Sequence, residues 1–237
     1  VTLTDSILEL ARPVRFSELA GNTKAKALVT GLLRSGSVKP GFLFSGDIGT
    51  GKTTLARITA RAIVCRQRQG VEPCGHCDAC AYSPHHTALW GEGISVRNCA
   101  SYESRSLQKD LEDARYAWGS PFVIVLDEFH RANSKIFDPL LTWLEDDTAN
   151  LVLLAVTPEP AKVDRALAQR LYSVKLAPPT TSEALEFLKS VRDRLELQVT
   201  DPALEAICHT CGNVLRDCLK LLRQEHAMAV LPPFKAE

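Results

Sequence analysis

The sequence predicts an α/β protein, a three-layer sandwich around a parallel sheet followed by a small helical lid. Three observations carry this. Short apolar runs at 42–44, 122–126 and 151–156 alternate with segments of helical periodicity. A glycine-rich octet, Gly46-Asp47-Ile48-Gly49-Thr50-Gly51-Lys52-Thr53, separates the first of those runs from the helical segment after it. Beyond Pro178-Pro179 only helical patterns remain.

Residues 3–10 read as a short helical lead-in ended by Arg12-Pro13, and a turn-rich stretch at 16–21 leads to a helix over 24–33. Phe42-Leu43-Phe44 is a buried strand. Residues 53–65 then place Leu55, Ile58, Ala62 and Cys65 on one helix face. Residues 93–98 are a strand candidate, and 106–118 a helix with Leu107, Leu111, Ala114 and Trp118 on one side. The run FVIVL at 122–126 is apolar throughout, as a central parallel strand covered on both faces requires. Residues 134–145 are amphipathic through Ile136, Phe137, Leu140, Leu141 and Leu144, and LVLLAV at 151–156 is a second buried strand. Tyr172, Val174 and Leu176 alternate with polar positions, which suits a less central strand. Ala177-Pro178-Pro179 is a linker dividing a core, 1–177, from a lid, 178–237. The lid has helices expected over 182–195, 202–211 and 214–228, with Pro232-Pro233 closing the chain.

The octet satisfies G-x-x-x-x-G-K-[ST] at every required position, and its strand–turn–helix setting makes it a structural claim. Gly46, Gly49 and Gly51 permit dihedrals that turn successive N–H groups towards a phosphate. The helix starting near Thr53 aims its positive dipole end at the same anion. Lys52 is the candidate partner of a nucleotide's β- and γ-phosphates, and the Thr53 hydroxyl of Mg²⁺. Thr54 completes the expected phosphate-binding set. Asp127-Glu128 end the FVIVL strand, which is expected beside the P-loop strand. There the first carboxylate holds the metal's hydration shell and the second polarises the attacking water. Thr157, where LVLLAV leaves the sheet before Pro158, is a candidate contact to the γ-phosphate or the nucleophilic water, or else a turn former.

Cys65, Cys74, Cys77 and Cys80 follow the P-loop helix with the spacing C-x8-C-x2-C-x2-C. Four thiolates in one short segment, separated by Gly75-His76 and Asp78-Ala79, suit closed tetrahedral Zn²⁺ coordination of the structural rather than the catalytic kind. His76, His85 and His86 lie nearby, but a fourth cysteine makes them unnecessary as ligands. Cys208 and Cys211, with Cys218 downstream, sit at helical spacing among apolar neighbours and read as core thiols. Arg131 and Lys135 read as a solvated helix start.

Composition narrows the functional classes. The chain has 237 residues, 45% of them apolar and 24% charged, enough for a buried core and unlike a disordered segment. The formal net charge is zero, so any DNA contact must rest on a local patch or a charged partner. No apolar run reaches the roughly 18 residues of a membrane span. The stretch VTLTDSILELARPVRF has neither the basic start nor the apolar core of a secretory signal. Eight cysteines beside a nucleotide-binding loop fit a reducing, cytoplasmic setting.

The joined motifs resemble the gamma/tau subunit family of bacterial DNA polymerase III, the ATPase of the sliding-clamp loader, within the AAA+ superfamily. The residues carrying the resemblance are Arg12-Pro13, Phe16 and Gly21-Asn22, then FLFSGDIGTGKTTLARITARAIVC, the cysteine knuckle at 65–80, VIVLDEFHRAN and LLAVTPEP. It implies an AAA+ P-loop NTPase fold with a zinc-knuckle insertion, in which Arg12 and Pro13 border the adenine pocket. Asp127 and Glu128 then correspond to Walker B and Thr157 to sensor 1. The segment Gly212-Asn213-Val214-Leu215-Arg216-Asp217 resembles sensor 2, which places Arg216 on the γ-phosphate of the subunit's own ATP.

Two positions depart from the family pattern. Where the family carries Ser-Arg-Cys, the finger that reaches a neighbour's ATP, this chain has Gln169-Arg170-Leu171, keeping the arginine alone. The sensor-2 segment also holds one residue more between glycine and arginine, which on a helix turns Arg216 by about 100° unless the turn absorbs it. The chain ends after the lid, so the collar domain that holds such subunits in a ring is expected to be absent. The resemblance implies an ATP-hydrolysing subunit that couples ATP to loading of a sliding clamp on primed DNA. ATP, Mg²⁺ and Zn²⁺ are its implied cofactors. Its implied partners are other clamp-loader subunits, the clamp, primed DNA and DNA polymerase III. Two alternatives stand beside it: a non-hydrolysing scaffold subunit of such a complex, and a phage or mobile-element ATPase that loads another replication protein.

Overall fold

The computed structural model describes residues 7–80, 93–116, 121–146 and 150–230. The start of the lead-in helix at Leu3, His85, His86, Trp118 and Pro232-Pro233 lie outside the described residues.

Five parallel strands form one sheet: β1 (Gly41–Ser45), β2 (Ile94–Asn98), β3 (Phe122–Asp127), β4 (Leu151–Thr157) and β5 (Tyr172–Lys175), in the order β2-β3-β4-β1-β5. Successive side chains point to opposite faces of a strand, so each apolar run feeds two cores at once. Phe42, Phe44, Val123, Val125, Val152 and Leu154 face one side, where α2 (Thr23–Ser35) and α3 (Lys52–Val64) cover them. Leu43, Ile124, Leu126, Leu153 and Ala155 face the other, beneath α4 (Ser104–Tyr116), α5 (Ser134–Leu144) and α6 (Arg165–Arg170). That double burial is why β3 and β4 show no polar alternation, whereas β5, at the edge, buries only Val174. On β2, Asp110 of α4 is buried and accepts hydrogen bonds from Ser95, Arg97 and Tyr102, anchoring that helix to the sheet.

The strand order corrects one expectation. The strand carrying Asp127 does not lie beside the P-loop strand, because β4 separates β1 from β3. Strand order follows from where each crossover returns to the sheet, and a local hydrophobic pattern carries no record of that. Asp127 still meets the P-loop, since α3 packs across both β3 and β4.

The C-terminal helices α7 (Thr181–Arg194), α8 (Asp201–Thr210) and α9 (Leu215–Val230) share a separate core that includes Leu188, Leu204, Cys208, Cys218 and Leu222. A reciprocal capping box starts α7: the Thr180 hydroxyl accepts from the Glu183 N–H, and the Glu183 carboxylate accepts from the Thr180 N–H. Ile7 of α1 (Ile7–Leu10) and Ala11 also pack into this helical core, so the N-terminal segment bridges the sheet layers and the helices. Cys208 and Cys218 are fully buried there, and Cys211 is half-buried at the C-cap of α8. Among the described residues no helix is long and apolar enough to cross a membrane.

Candidate functional site

The carboxyl end of β1 leads into a loop whose shape depends on missing side chains. Gly46 has φ 141°, and a Cβ there would lie 2.2 Å from the Leu176 carbonyl oxygen. Gly49 has φ 85°, and its Cβ would lie 2.5 Å from a methyl of Val214, so the loop also touches the turn before α9. Lys52 opens α3 and is buried; its Nζ donates to the Asp47 carbonyl at 2.7 Å. Burial lowers the Lys52 pKa, the Asp127 and Glu128 carboxylates oppose that shift, and the Arg216 guanidinium reinforces it.

Both oxygens of Asp127 are engaged. Thr53 Oγ1 donates to Oδ2 at 3.0 Å and the Glu128 N–H donates to Oδ1 at 2.9 Å. Glu128 itself has φ 54°, a left-handed conformation uncommon outside glycine, and His130 Nε2 stands 3.6 Å from its Oε2.

These groups line a cavity of about 360 Å³, within the size range of small-molecule sites. Lys52, Thr53, Thr54, Asp127 and Glu128 form its polar wall, while Pro13, Leu19, Ile48, Phe187, Leu215 and Leu219 give an apolar one. Arg12 lines it too, with its guanidinium paired to Glu9 at 2.6 and 3.0 Å. Arg216 reaches the same cavity. In the turn before it, Gly212 and Asn213 are both left-handed (φ 54° and 62°), and the Asn213 N–H donates back to the Cys208 carbonyl at 3.2 Å.

Of the expected loop residues, Gly46, Asp47 and Thr50 do not line the cavity, and neither does Thr157; Arg170, expected at a neighbour's ATP, stands apart as well. Thr157 is buried at the end of β4, where its hydroxyl accepts from the Glu159 N–H at 3.0 Å; the adjacent Pro158, not Thr157, lines the cavity. Arg170 ends α6, donates to the Ala166 carbonyl and pairs with Glu145, away from the cavity walls.

The four cysteines after α3 converge. Their sulfur atoms all lie within 4.8 Å of one another, with close pairs at 3.3, 3.4, 3.5 and 4.0 Å. Tetrahedral Zn–S bonds of about 2.3 Å would set the sulfur–sulfur edge at about 3.8 Å, so the donor set fits such an ion. Backbone N–H groups of Cys74, Gly75 and Cys77 point at sulfurs at 3.3–3.4 Å, which favours thiolates. Burial alone would raise the Cys77 thiol, yet hydrogen bonding with Cys80 and with backbone amides outweighs it and brings it to about 6. Burial pushes Cys80 up to about 12. His76 bonds Gln67 and the Cys74 carbonyl instead of joining the cluster.

Sequence reasoning reached Pro13 and Ile48 of the apolar wall and missed the rest. Phe187, Leu215 and Leu219 lie on amphipathic helices, where nothing local separates a core position from a cavity position. Asn22 offered a better signal, a polar residue after glycine in a helix lead-in. Its side chain donates to the carbonyls of Thr50 and Ala177 and accepts from the Ala177 N–H, tying the P-loop to the linker.

Sheet order, loop and carboxylate pair together define an AAA+ P-loop NTPase fold. A sequence model of the family described as DNA polymerase III, delta subunit, matches residues 21–180, and the chain belongs to that family. It is 30% identical over 220 residues to the DNA polymerase III subunit gamma/tau of Mycobacterium tuberculosis (strain ATCC 25618 / H37Rv), covering 90% of this chain and 37% of that protein. It is 27% identical over 222 residues to the DNA polymerase III subunit tau of Bacillus subtilis (strain 168), covering 92% and 39%. The resemblance to gamma/tau subunits is thus borne out by relatives, of whose length the chain spans 37% and 39%. In structure the chain is similar to the Thermotoga maritima RuvB Holliday junction branch migration motor, with TM-score 0.69 and 21% identity over 90% of this chain and 64% of that one, a likeness of fold.

Proposed function

We propose that the protein binds and hydrolyses ATP as a clamp-loader-type subunit acting in DNA replication. The observation that supports this most directly is the Thr53–Asp127 hydrogen bond on the wall that also holds Lys52 and Glu128. Phosphoryl transfer to water needs those groups converging: donors for the phosphates, a hydroxyl and a carboxylate for a magnesium ion, and a second carboxylate for the water. Magnesium, when held by Thr53 and Asp127, neutralises charge on the phosphates. Lys52 and the loop amides orient the triphosphate, Arg216 meets its terminal phosphate, and Glu128 draws the proton of the attacking water. Arg12, Pro13 and the apolar wall take the base.

In the same reading, residues 178–237 act as a lid on the core, 1–177, and bring Arg216 to the nucleotide. Thr157 acts on the γ-phosphate side only through the turn it holds, with Pro158 on the cavity wall, and Arg170 serves a neighbouring subunit's ATP. The four cysteines hold a structural Zn²⁺. Other clamp-loader subunits, the sliding clamp, primed DNA and DNA polymerase III are the partners, in the cytoplasm; the similarity to DNA polymerase III subunits supports the last of these partners.

Turnover of ATP by the wild type and by Glu128→Gln tests the reading. The variant should bind ATP within about twofold of wild type and lose hydrolysis by at least about a hundredfold, as for removal of a general base. Turnover at the parent rate would remove Glu128 from its role, and binding without turnover in the wild type itself would leave only a nucleotide-binding scaffold. Zinc content is a separate check: protein purified without chelator should hold about one ion per chain, and a ratio near zero would end the knuckle assignment.

A further inference from the structure

We propose that Arg61 and Glu72 are positioning residues that clamp the cavity's N-terminal wall to the cysteine cluster, so that nucleotide affinity depends on the cluster's metal. This rests on the nucleotide reading of the cavity. The observation is a set of four hydrogen bonds joining two segments far apart in sequence. Glu72, in the loop between Cys65 and Cys74, accepts from the Phe16 N–H at 2.8 Å through one carboxylate oxygen and from the Ser17 N–H at 2.9 Å through the other. Arg61, in the last turn of α3 and only 2% exposed, donates to the Cys80 carbonyl at 2.8 Å and to the Val14 carbonyl at 3.2 Å.

The clamped residues are bracketed by the cavity wall. Arg12 and Pro13 precede Val14, and Leu19 and Ala20 follow Ser17 by two and three positions; all four line the cavity. Residues 14–18 contain one short 3₁₀ turn at Phe16–Glu18 and no strand pairing; beside the burial of Phe16 and the Glu18 carboxylate on the Val14 N–H, these side-chain bonds set their path. The other ends of the clamp are equally specific. Glu72 is held in a tight loop by its reciprocal backbone bonds with Gln69, and Cys80 is one of the four converging thiols. Helix α3 completes the circuit, since it starts at Lys52 on the phosphates' wall and ends at Val64 beside Cys65. A metal that orders the cluster therefore orders the Glu72 loop and the Cys80 carbonyl, and through them the wall at 12–20. Without it, a smaller share of molecules has that wall in place, and apparent affinity falls in proportion.

The test measures binding of a fluorescent N-methylanthraniloyl-ATP in excess Mg²⁺ by anisotropy, together with ATP turnover, thermal melting and bound zinc, on the full chain. Glu72→Ala should raise the Kd and the KM about tenfold while leaving kcat at saturating ATP within about twofold, because the competent fraction falls and the phosphate machinery is untouched. Glu72→Gln, which keeps one acceptor oxygen of the two, should recover part of that loss. Wild-type protein stripped of zinc and returned to Mg²⁺ buffer should show a similar rise in Kd, and stripping Glu72→Ala should add less than stripping wild type. Melting separates general unfolding from this effect: Glu72→Gln should melt with the wild type and still bind more weakly. The clamp is overturned if Glu72→Ala binds like the wild type, if zinc removal leaves the Kd unchanged, or if the two losses simply multiply. Failure of the wild type itself to bind the probe would instead bring down the nucleotide reading, and the clamp with it.

Discussion

The polar wall of the cavity draws nearly all its groups from residues 49–54 and the end of one strand, whereas the apolar wall collects Pro13 and Leu19, Ile48, Phe187, and Leu215 and Leu219 from four separate stretches of chain. The first is preformed by glycine dihedrals and the opening turn of α3, together with one side-chain hydrogen bond from Thr53 to Asp127. The second exists only because α7 and α9 pack beside the N-terminal segment, itself tied down by Glu72 and Arg61. A wall made of contiguous residues resists local perturbation. A wall assembled from remote segments responds to anything that shifts one of them, which is where a molecule can regulate affinity without touching the chemistry.

That division is open to a direct break. The largest effect should come from Lys52→Ala, which removes a buried cation from the phosphate wall. Its affinity for both ATP and inorganic tripolyphosphate should fall at least about a hundredfold, given the strength of hydrogen bonds to charged groups. Competition against the fluorescent nucleotide reads both losses. Arg216→Ala should act on the terminal phosphate alone, lowering ATP affinity about tenfold while changing ADP affinity by less than about twofold. Equal losses for the two nucleotides would mean that Arg216 meets another part of the ligand. The smallest effect belongs to Arg12→Ala, about threefold on ATP and none on tripolyphosphate, since a partly solvated ion pair such as Arg12–Glu9 holds its segment only modestly. If tripolyphosphate binding fell as far as ATP binding in that variant, the two walls would not be separate.

Much of the phosphate wall was legible beforehand. Lys52, Thr53 and Asp127 belong to short motifs whose neighbours report strand, turn and helix, and each of those signals is local. The neighbour of β1 was not legible. Asp127 was expected on the adjacent strand, yet β4 intervenes, because apolar runs buried on both faces look alike whatever their place in a sheet. The position of Arg216 could not be read either, since it depends on the turn before α9, where Gly212 and Asn213 are left-handed. Arg61 and Glu72 left still less trace. A charged residue on a helix or in a loop normally reads as solvated, and only the return of residues 14–17 to the cysteine cluster gives these two their partners.

The order of amino acids alone settled which segments become strands and helices, the phosphate loop and the four-thiol set, because each depends on neighbours within a few residues. Tertiary structure alone decided the strand order, the apolar wall, the reach of Arg216 and the link between cluster and cavity. Those depend on which surfaces of distant segments are brought together when the apolar faces are buried, and that is a property of the whole packing rather than of any stretch of chain.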